Sequence, residues 1–313
     1  MEFFKSNKFK LVLKSAVSLA LLYFIFKFIG INKFYNELLN ANIFYILAAT
    51  FFVVFQIFFK VARWKAIVNV FNKNISFRSS LIYTLISFAF GIITPGRLGE
   101  FIKAKYLVEG IKLGPLKSFM TVVIDKIFDG LALILVGLFG LYFFQEKFGI
   151  SRYAIYAFFS YIIILALTFI YFNKILELIY YILPKKYKIN FKKFSINRKF
   201  YIRSLLFSVC IWVISTIQAF FIIKALGILS LSFFMVMGLI TLMAISSMIP
   251  ISIGGVGVRE VVAISFLLMT GVPAEKSTTF SLMYTFITFG IPAIIGAILY
   301  SKKSISANGK RLP

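Results

Sequence analysis

Long runs of apolar residues recur along the whole chain, each about as long as a bilayer is thick. A helix needs roughly 20 apolar residues to cross the hydrocarbon layer. Runs of this kind predict membrane-spanning helices near residues 11–29, 43–62, 119–144, 153–172, 201–223 and 279–300. The polar stretches between them are too short for a separate soluble domain. The pattern therefore predicts an all-α polytopic membrane protein.

Two further apolar segments, 79–107 and 232–270, are interrupted near their middles by glycine, proline and charge. Lipid cannot satisfy free peptide groups, so a break at membrane depth must be buried in protein or face a watery cavity. We expect Pro95, Gly96 and Gly99 to form the first break. The residues expected to form the second break are Pro250, Gly254, Gly255 and Gly257.

The basic residues indicate how these two segments meet the membrane. The chain has 35 Lys and Arg against 10 Asp and Glu. If both segments are re-entrant hairpins and the N-terminus is cytoplasmic, most basic residues fall on the cytoplasmic side, as the positive-inside rule requires. A single crossing by 79–107 would separate its two basic flanks. We therefore predict six full spans and two re-entrant helical hairpins, with both termini inside; eight crossings by kinked spans are the alternative.

The same order of elements predicts two repeats of inverted topology. Residues 1–150 read as span, span, hairpin, span, and residues 151–313 repeat this order from the opposite face. The two hairpin tips would then meet near the middle of the bilayer. The basic linker 173–203 lies between the repeats. It is either an amphipathic segment on anionic lipid or a solvated loop.

Charged side chains in the two breaks are the first candidate functional residues, because ionised groups within the membrane are costly to insert and mark functional sites. Arg97 and Glu100 are three residues apart, so if the chain resumes as a helix there, they share a face and can pair. Arg259 and Glu260 open the helix after the second break, where free backbone amides attract anions and arginine suits phosphate. These charges either contact a ligand or hold the hairpins by pairing with each other.

A second group of charges lies in the span that begins near residue 119. Asp125 and Asp129 are one turn apart, and Lys126 lies three residues before Asp129. The carboxylates could hold a proton or a cation, or pair with Arg97 or Arg259. The alternative is that the group is wet at the membrane interface.

The preceding span carries Gln56, Lys60 and Arg63 on one helical face. We expect Arg63 to snorkel to the cytoplasmic surface with Trp64 as an interface anchor, and leave the role of Lys60 open.

Composition excludes several kinds of chemistry. The chain has no histidine, and its single cysteine, Cys210, lies in an apolar span. We therefore expect no disulfide, no metal site, no cofactor and no catalytic residues. The net charge of +25 is spread over short loops between apolar runs. Membrane topology explains this charge, so nucleic acid is not an expected partner.

The motifs in these segments resemble the lysylphosphatidylglycerol synthase transmembrane-region family of flippase-like integral membrane proteins. The resemblance covers nearly the whole chain. It rests on Thr94-Pro-Gly-Arg-Leu-Gly-Glu100, Asp125-Lys-Ile-Phe-Asp129, Arg63-Trp64 and Pro250-Ile-Ser-Ile-Gly-Gly-Val-Gly-Val-Arg-Glu260. It implies Arg97, Glu100, Asp129, Arg259 and Glu260 as cavity residues. Asp125-Lys126 replaces an expected Glu-Arg pair, which keeps the charge signs and loses the bidentate geometry of arginine.

From these patterns and this resemblance we expect a flippase or scramblase of the cytoplasmic membrane. It would move a phospholipid or polyprenyl-linked headgroup through a central charged cavity, with anionic membrane lipids as partners and a homo-oligomer left open. Arg97 and Arg259 would hold the phosphate. A secondary transporter of a small water-soluble anion is the alternative, and an intramembrane enzyme acting on lipid phosphates is a third hypothesis.

Overall fold

A computed structural model describes residues 31–71, 73–142, 198–249 and 251–307, together with isolated positions at 23 and 27 and between 156 and 174. The described residues are helical apart from short turns and one isolated β-bridge. The helices are α1 (Ile31–Asn40), α2 (Ile43–Val70), α3 (Phe77–Ile92), α4 (Ile102–Ile111), α5 (Pro115–Tyr142), α6 (Arg198–Ala225), α7 (Phe233–Met248), α8 (Val258–Met269), α9 (Ala274–Thr285) and α10 (Ile291–Ala307).

Three stretches of the described helices are long and apolar enough to cross a membrane: Ile43–Val70, Arg198–Ala225 and Ala274–Lys302. They contain the predicted spans 43–62, 201–223 and 279–300. The third stretch includes a π-helical turn, Phe286–Gly290, between α9 and α10. Helix α5, of 28 residues, covers most of the predicted span 119–144. The predicted span 11–29 and most of 153–172 and of the linker 173–203 lie outside the described residues.

Both interrupted segments are helix–break–helix units. Each begins with a serine cap: Ser76 Oγ accepts the amide of Ser79 before α3, and Ser232 Oγ accepts the amide of Met235 before α7. Such a cap satisfies one of the free amides at a helix start. The helices that open the two units, α3 and α7, have 16 residues each. The units run over 77–111 and 233–269, close to the predicted bounds 79–107 and 232–270.

The first break is held by the side chain of Thr94. Its hydroxyl donates to the carbonyl of Phe90 at 2.8 Å and accepts the amide of Gly99 at 2.7 Å. Between these residues the chain turns through Gly96 and Arg97, both with positive φ. A Cβ on Gly99 would lie 2.0 Å from the Phe90 carbonyl oxygen. A glycine is therefore required at position 99, where a short 3₁₀ turn, Leu98–Phe101, leads into α4.

The second break uses three glycines with positive φ, Gly254, Gly255 and Gly257. The predicted break residue Pro250 lies outside the described residues. After Gly257 the chain enters α8, which carries Arg259 and Glu260 in its first turn.

The two breaks touch each other. Pro95 and Ile253 form an antiparallel β-bridge, and the amide of Gly254 donates to the Thr94 carbonyl at 3.1 Å. Peptide groups freed by one break are thus satisfied by the other, which is what a break among apolar helices requires.

Helices from the first half of the chain pack in pairs against helices from the second half. Helix α2 lies along α6, α3 packs on α10, and α5 packs on α7. The last two contacts are close because each has a glycine at the crossing. Gly296 of α10 approaches the backbone of Leu85 in α3, and Gly140 of α5 approaches the backbone of Gly238 in α7. The first unit therefore packs on the last helix, and the second unit packs on α5.

Apolar side chains cover much of the outer surface. Helix α2 exposes a row of large side chains, comprising Ile43, Phe44, Leu47, Phe51, Val54, Phe55 and Phe58. An apolar surface of this extent fits contact with lipid and not with water. The interior, in contrast, contains a group of buried charges.

Candidate functional site

A cavity of about 380 Å³ lies beside the joined breaks. Residues from the first break, from the helices α5 to α9 and from the π turn line it. The lining is Gly96, Arg97, Leu98, Phe101, Lys126, Asp129, Gly130, Trp212, Ile240, Met243, Ala244, Ser247, Met248, Arg259, Tyr284 and Phe289. Three cations (Arg97, Lys126 and Arg259) and one carboxylate (Asp129) are set among walls that are otherwise mainly apolar.

The two arginines of the breaks share one aromatic ring. The guanidinium carbon of Arg97 lies 4.4 Å from the ring centroid of Phe289, and that of Arg259 lies 4.7 Å from the same centroid. Both distances are within the range of cation–π attraction. The ring therefore brings two like charges from different breaks to one wall of the cavity.

Arg259 is buried, with a side-chain exposure of 2%, and keeps a free donor. Its Nε donates to Glu260 at 3.3 Å, whereas Nη2 has no hydrogen-bond partner among the described residues. A buried guanidinium donor without a partner is costly, and such groups in native structures call for an explanation. Because Arg259 lines the cavity, an anionic ligand bound there would supply the missing acceptor.

The carboxylate of Glu260, in contrast, already has hydrogen-bond donors from the protein. Its carboxylate accepts the amide of Gly257 at 2.6 Å and the hydroxyl of Thr285 at 2.6 Å, in addition to the contact with Arg259. It is completely buried and does not line the cavity. The predicted site residue Glu260 therefore holds the second break to α9.

The predicted Arg97–Glu100 pair is confirmed, with Nη2 and Oε1 2.6 Å apart. The other oxygen of Glu100 accepts a hydrogen bond from Lys126 of α5. The first break is thus tied to α5 through a carboxylate between two cations. Lys126 is the most exposed of the three, at 37%.

Asp125 and Asp129 pair with Arg63 of α2, and not with either arginine of the breaks. Arg63 Nε donates to Asp125 at 2.8 Å, and Nη1 donates to Asp129 at 2.9 Å and to Ser208 of α6 at 2.7 Å. Lys103 of α4 completes the group by donating to Asp125 at 2.9 Å. The alternative that these carboxylates are wet at an interface is wrong, since both are largely buried.

Two expectations for α2 are also wrong. Arg63 does not snorkel: its side chain is only 3% exposed and it joins α2, α5 and α6. Trp64 is not an interface anchor, because it is completely buried and the ammonium of Lys103 lies 5.0 Å from its ring. A buried carboxylate (Asp125) and a partly buried one (Asp129) pair with the guanidinium, so Arg63 is stabilised without contact with water.

A smaller chamber of about 30 Å³ adjoins the main cavity. Both are lined by Arg97, Lys126 and Asp129. The chamber is also lined by Lys60, Arg63, Thr84, Ser87, Phe88, Glu100, Lys103 and Asp125. The structure thus brings every predicted charged site residue except Glu260 to one of two adjoining spaces.

The residues predicted from the sequence do not include Lys103, Phe289 or Trp212, and Arg63 is predicted at the surface. The position of Lys103, three residues after Glu100, is the signal in the sequence that it faces the same group of charges. Trp212 donates its indole N–H to the carbonyl of Asp129 at 3.1 Å and lines the cavity, a contact for which the sequence holds no signal.

These features define a class: an integral membrane protein with a charged cavity at the junction of two broken helices. The chain matches the family model described as "Lysylphosphatidylglycerol synthase TM region" over residues 11–296, and it belongs to that family. The resemblance noted in the motifs is thereby confirmed.

Two relatives align over most of this chain. It is 26% identical to the UPF0104 membrane protein PH1989 of Pyrococcus horikoshii, over 87% of this chain and 91% of the relative. It is 24% identical to the UPF0104 membrane protein MJ1595 of Methanocaldococcus jannaschii, over 90% and 92% respectively. Both are described as membrane proteins, in agreement with the fold.

Proposed function

We propose that the protein is a flippase or scramblase that moves the phosphate headgroup of a phospholipid or polyprenyl-linked lipid across the cytoplasmic membrane. The free donor of Arg259 in a buried, cation-rich cavity carries this proposal. Arginine donors match phosphate oxygens in geometry and charge. Arg97, on the same aromatic ring, supplies a second guanidinium for the headgroup.

The lining of the main cavity favours a lipid over a small water-soluble anion. Apolar side chains such as Leu98, Met243 and Met248 make up much of its wall, and Leu98 and Met248 are also exposed on the outer surface. A site for a soluble anion needs only the charged groups. A lipid needs polar groups for its headgroup beside an apolar route for its chains, and this cavity has both.

The packing of the helices supports an inverted repeat with two re-entrant hairpins. Exchanging the two halves of the chain turns the contact of α3 with α10 into that of α7 with α5. It also exchanges the two serine caps and the two breaks. In this arrangement the breaks meet at the middle of the bilayer, which places the arginines where a headgroup crosses. Multi-pass insertion in the cell membrane, with both termini inside, is part of the proposal.

The charge balance points to binding and not to catalysis. The two spaces are lined by six cations (Lys60, Arg63, Arg97, Lys103, Lys126 and Arg259) and three carboxylates (Glu100, Asp125 and Asp129). Buried Glu260 offsets one more charge, which leaves a surplus of two positive charges. Each carboxylate is paired with a cation, so we assign no general acid or base. Transport would be driven by an ion gradient or by the lipid gradient itself.

A reconstitution experiment tests the proposal. Purified protein is placed in vesicles with NBD-labelled phosphatidylglycerol, and dithionite, which bleaches only outer-leaflet label, reports translocation. We expect Arg259→Gln to lower the initial rate about tenfold or more, because a lost charge-assisted contact is worth about 1.5–3 kcal/mol. Arg259→Lys should retain part of the activity. Lys126→Met serves as a second variant, since its partly exposed side chain is easier to remove without unfolding.

Arg78→Gln is the matched control, because Arg78 is exposed at the start of α3 and lines neither space. A parallel arm measures efflux of entrapped inorganic phosphate from the same vesicles. Unchanged lipid translocation in folded Arg259→Gln and Lys126→Met proteins would refute the assignment. Arginine-dependent phosphate efflux without lipid translocation would establish the small-anion transporter instead.

A further inference from the structure

The small chamber contains a lysine that has no carboxylate partner. Lys60 of α2 forms no ion pair with any described residue, and its ammonium lies 5.2 Å from the ring centroid of Phe88. Every other cation that lines the chamber is paired. Arg63 and Lys103 bind Asp125, and Arg97 and Lys126 bind Glu100.

The chamber as a whole carries surplus positive charge. Its lining includes five cations and three carboxylates, and each carboxylate is already in an ion pair. Arg97 adds to the field at Lys60, because its guanidinium carbon lies 5.7 Å from the centroid of the same Phe88 ring. Surplus charge of one sign in a space of low dielectric attracts a counterion strongly.

A buried hydroxyl in the chamber supplies a second, independent sign of a ligand. Thr84 of α3 is 4% exposed, and its Oγ1 has no hydrogen-bond partner among the described residues. The neighbouring hydroxyl of Ser87 is already used, since it donates to the Thr84 carbonyl at 2.7 Å. Lys60 and Thr84 line the same chamber, so an ammonium without an ion pair and a free hydroxyl offer two donors to one small acceptor.

We propose that this chamber is a binding site for a small monovalent inorganic anion of the halide class, held by the Lys60 ammonium and the Thr84 hydroxyl. A water molecule needs about 10–15 Å³ of such space. A chamber of about 30 Å³ is therefore on the scale of a small ion and smaller than a phosphate headgroup with its glycerol needs. This site adjoins the main cavity, with which it shares Arg97, Lys126 and Asp129, and the proposal does not depend on lipid transport. Arg97, which lines both spaces, links them electrostatically.

The test compares thermal unfolding of the purified protein in sodium chloride and in sodium gluconate at equal ionic strength. Equal ionic strength keeps screening constant, so a difference reports binding. A ligand that binds only the folded state raises stability with the logarithm of its concentration above Kd. We expect the Tm of the wild-type protein to rise with chloride, and the response to disappear in both Lys60→Met and Thr84→Val.

Lys60→Met has a second readout that a merely disruptive substitution would not give. Because it removes the uncompensated charge, its Tm in gluconate should equal or exceed that of the wild type. Lys65→Met, on the same helix but outside the lining of either space, is the matched control and should keep the chloride response. A wild type with equal Tm in both salts would overturn the proposal, as would a chloride response retained in Lys60→Met or Thr84→Val.

Discussion

The amide of Gly254 donates a hydrogen bond to the carbonyl oxygen of Thr94, 3.1 Å away. These residues are far apart in sequence and lie in different broken helices. The bond, with the Pro95–Ile253 bridge beside it, makes one junction of two breaks. Arg97 follows the first break and Arg259 follows the second, so the junction determines how the cavity arginines are placed. Its integrity is therefore the first property to test.

Gly254→Ala should destabilise the protein strongly. A Cβ at this position would lie 2.3 Å from the carbonyl oxygen of Ile92, and the glycine has a φ of +58°. The left-handed conformation alone costs an L-residue about 1–2 kcal/mol, and the clash with backbone adds to this. We expect a lower Tm in detergent and a loss of monodisperse protein.

Two other glycine variants separate the effect of backbone strain on stability from the effect of the clash. Gly271→Ala has the same kind of strain, with a φ of +81°, but nothing within 4 Å of the new Cβ. It should lower Tm modestly. Gly114→Ala has neither strain nor a close neighbour and should leave Tm nearly unchanged. If Gly254→Ala were no worse than Gly271→Ala, the contact between the breaks would not matter for stability.

The sequence predicts the breaks well because their chemistry is local. Glycine and proline in an apolar segment identify a broken helix, and the charges beside them identify a polar interior. The pairing of Arg97 with Glu100 follows from a three-residue spacing and is found. That the two breaks touch is consistent with the predicted meeting of the hairpin tips. The domain division at residue 150 stays a prediction.

The roles of Arg63 and Phe289 could not be read from local sequence. Arg63 lies near the end of an apolar run, where snorkelling is the ordinary outcome. Only the packing of α2 against α5 brings two carboxylates to it. Phe289 is one of 40 phenylalanines, and nothing nearby in the chain marks it as the ring that two distant arginines share. Contacts between residues far apart in sequence decide both cases.

Arg63→Met should destabilise the protein by about 3–5 kcal/mol, the usual cost of breaking a buried ion pair from one side. The substitution leaves Asp129 without the cation that binds it, whereas Asp125 keeps Lys103. We therefore expect Asp129→Asn to restore more stability to Arg63→Met than Asp125→Asn does. Chemical or thermal unfolding of the four proteins measures the difference.

Arg203→Met provides a comparison for the loss of an arginine on an exposed part of α6. It should change stability by well under 1 kcal/mol. Equal rescue by the two asparagine substitutions would mean that Lys103 alone does not stabilise the Asp125 carboxylate. It would contradict the assignment of Lys103 as a second cation for Asp125.

Phe289→Leu should reduce lipid translocation more than it reduces stability. The ring attracts two guanidinium groups, with about 0.5–2 kcal/mol for each cation–π contact, and so fixes their positions at the cavity wall. Phe289→Trp keeps an aromatic face and should retain more activity than leucine. The measurement is the initial rate of NBD-phosphatidylglycerol translocation at matched protein density.

Phe286→Leu is the control for Phe289. It lies in the same π turn, but its side chain is exposed and does not line the cavity. It should translocate lipid at the wild-type rate. Equal activity in Phe289→Leu and Phe289→Trp would show that the ring contributes volume and not its attraction for the arginines.

Glu260→Gln should act on stability first, because this carboxylate binds the protein and does not line the cavity. It accepts the Gly257 amide and the Thr285 hydroxyl, both at 2.6 Å, and contacts the Nε of Arg259 at 3.3 Å. An amide has one acceptor oxygen, so glutamine leaves at least one buried donor unpaired, at a cost of about 1–3 kcal/mol. Thr285→Val removes one of the same bonds from the other side and should give a smaller loss of Tm. The double variant should then be less destabilised than the sum of the two single variants, since both remove one shared contact.

Lys126→Met is the comparison, because it changes a cavity residue without breaking the contacts of Glu260. It should have a Tm near that of the wild type and slower translocation. If Glu260→Gln instead kept the wild-type Tm and lost translocation, Glu260 would belong to the transport site and would not serve to hold the second break.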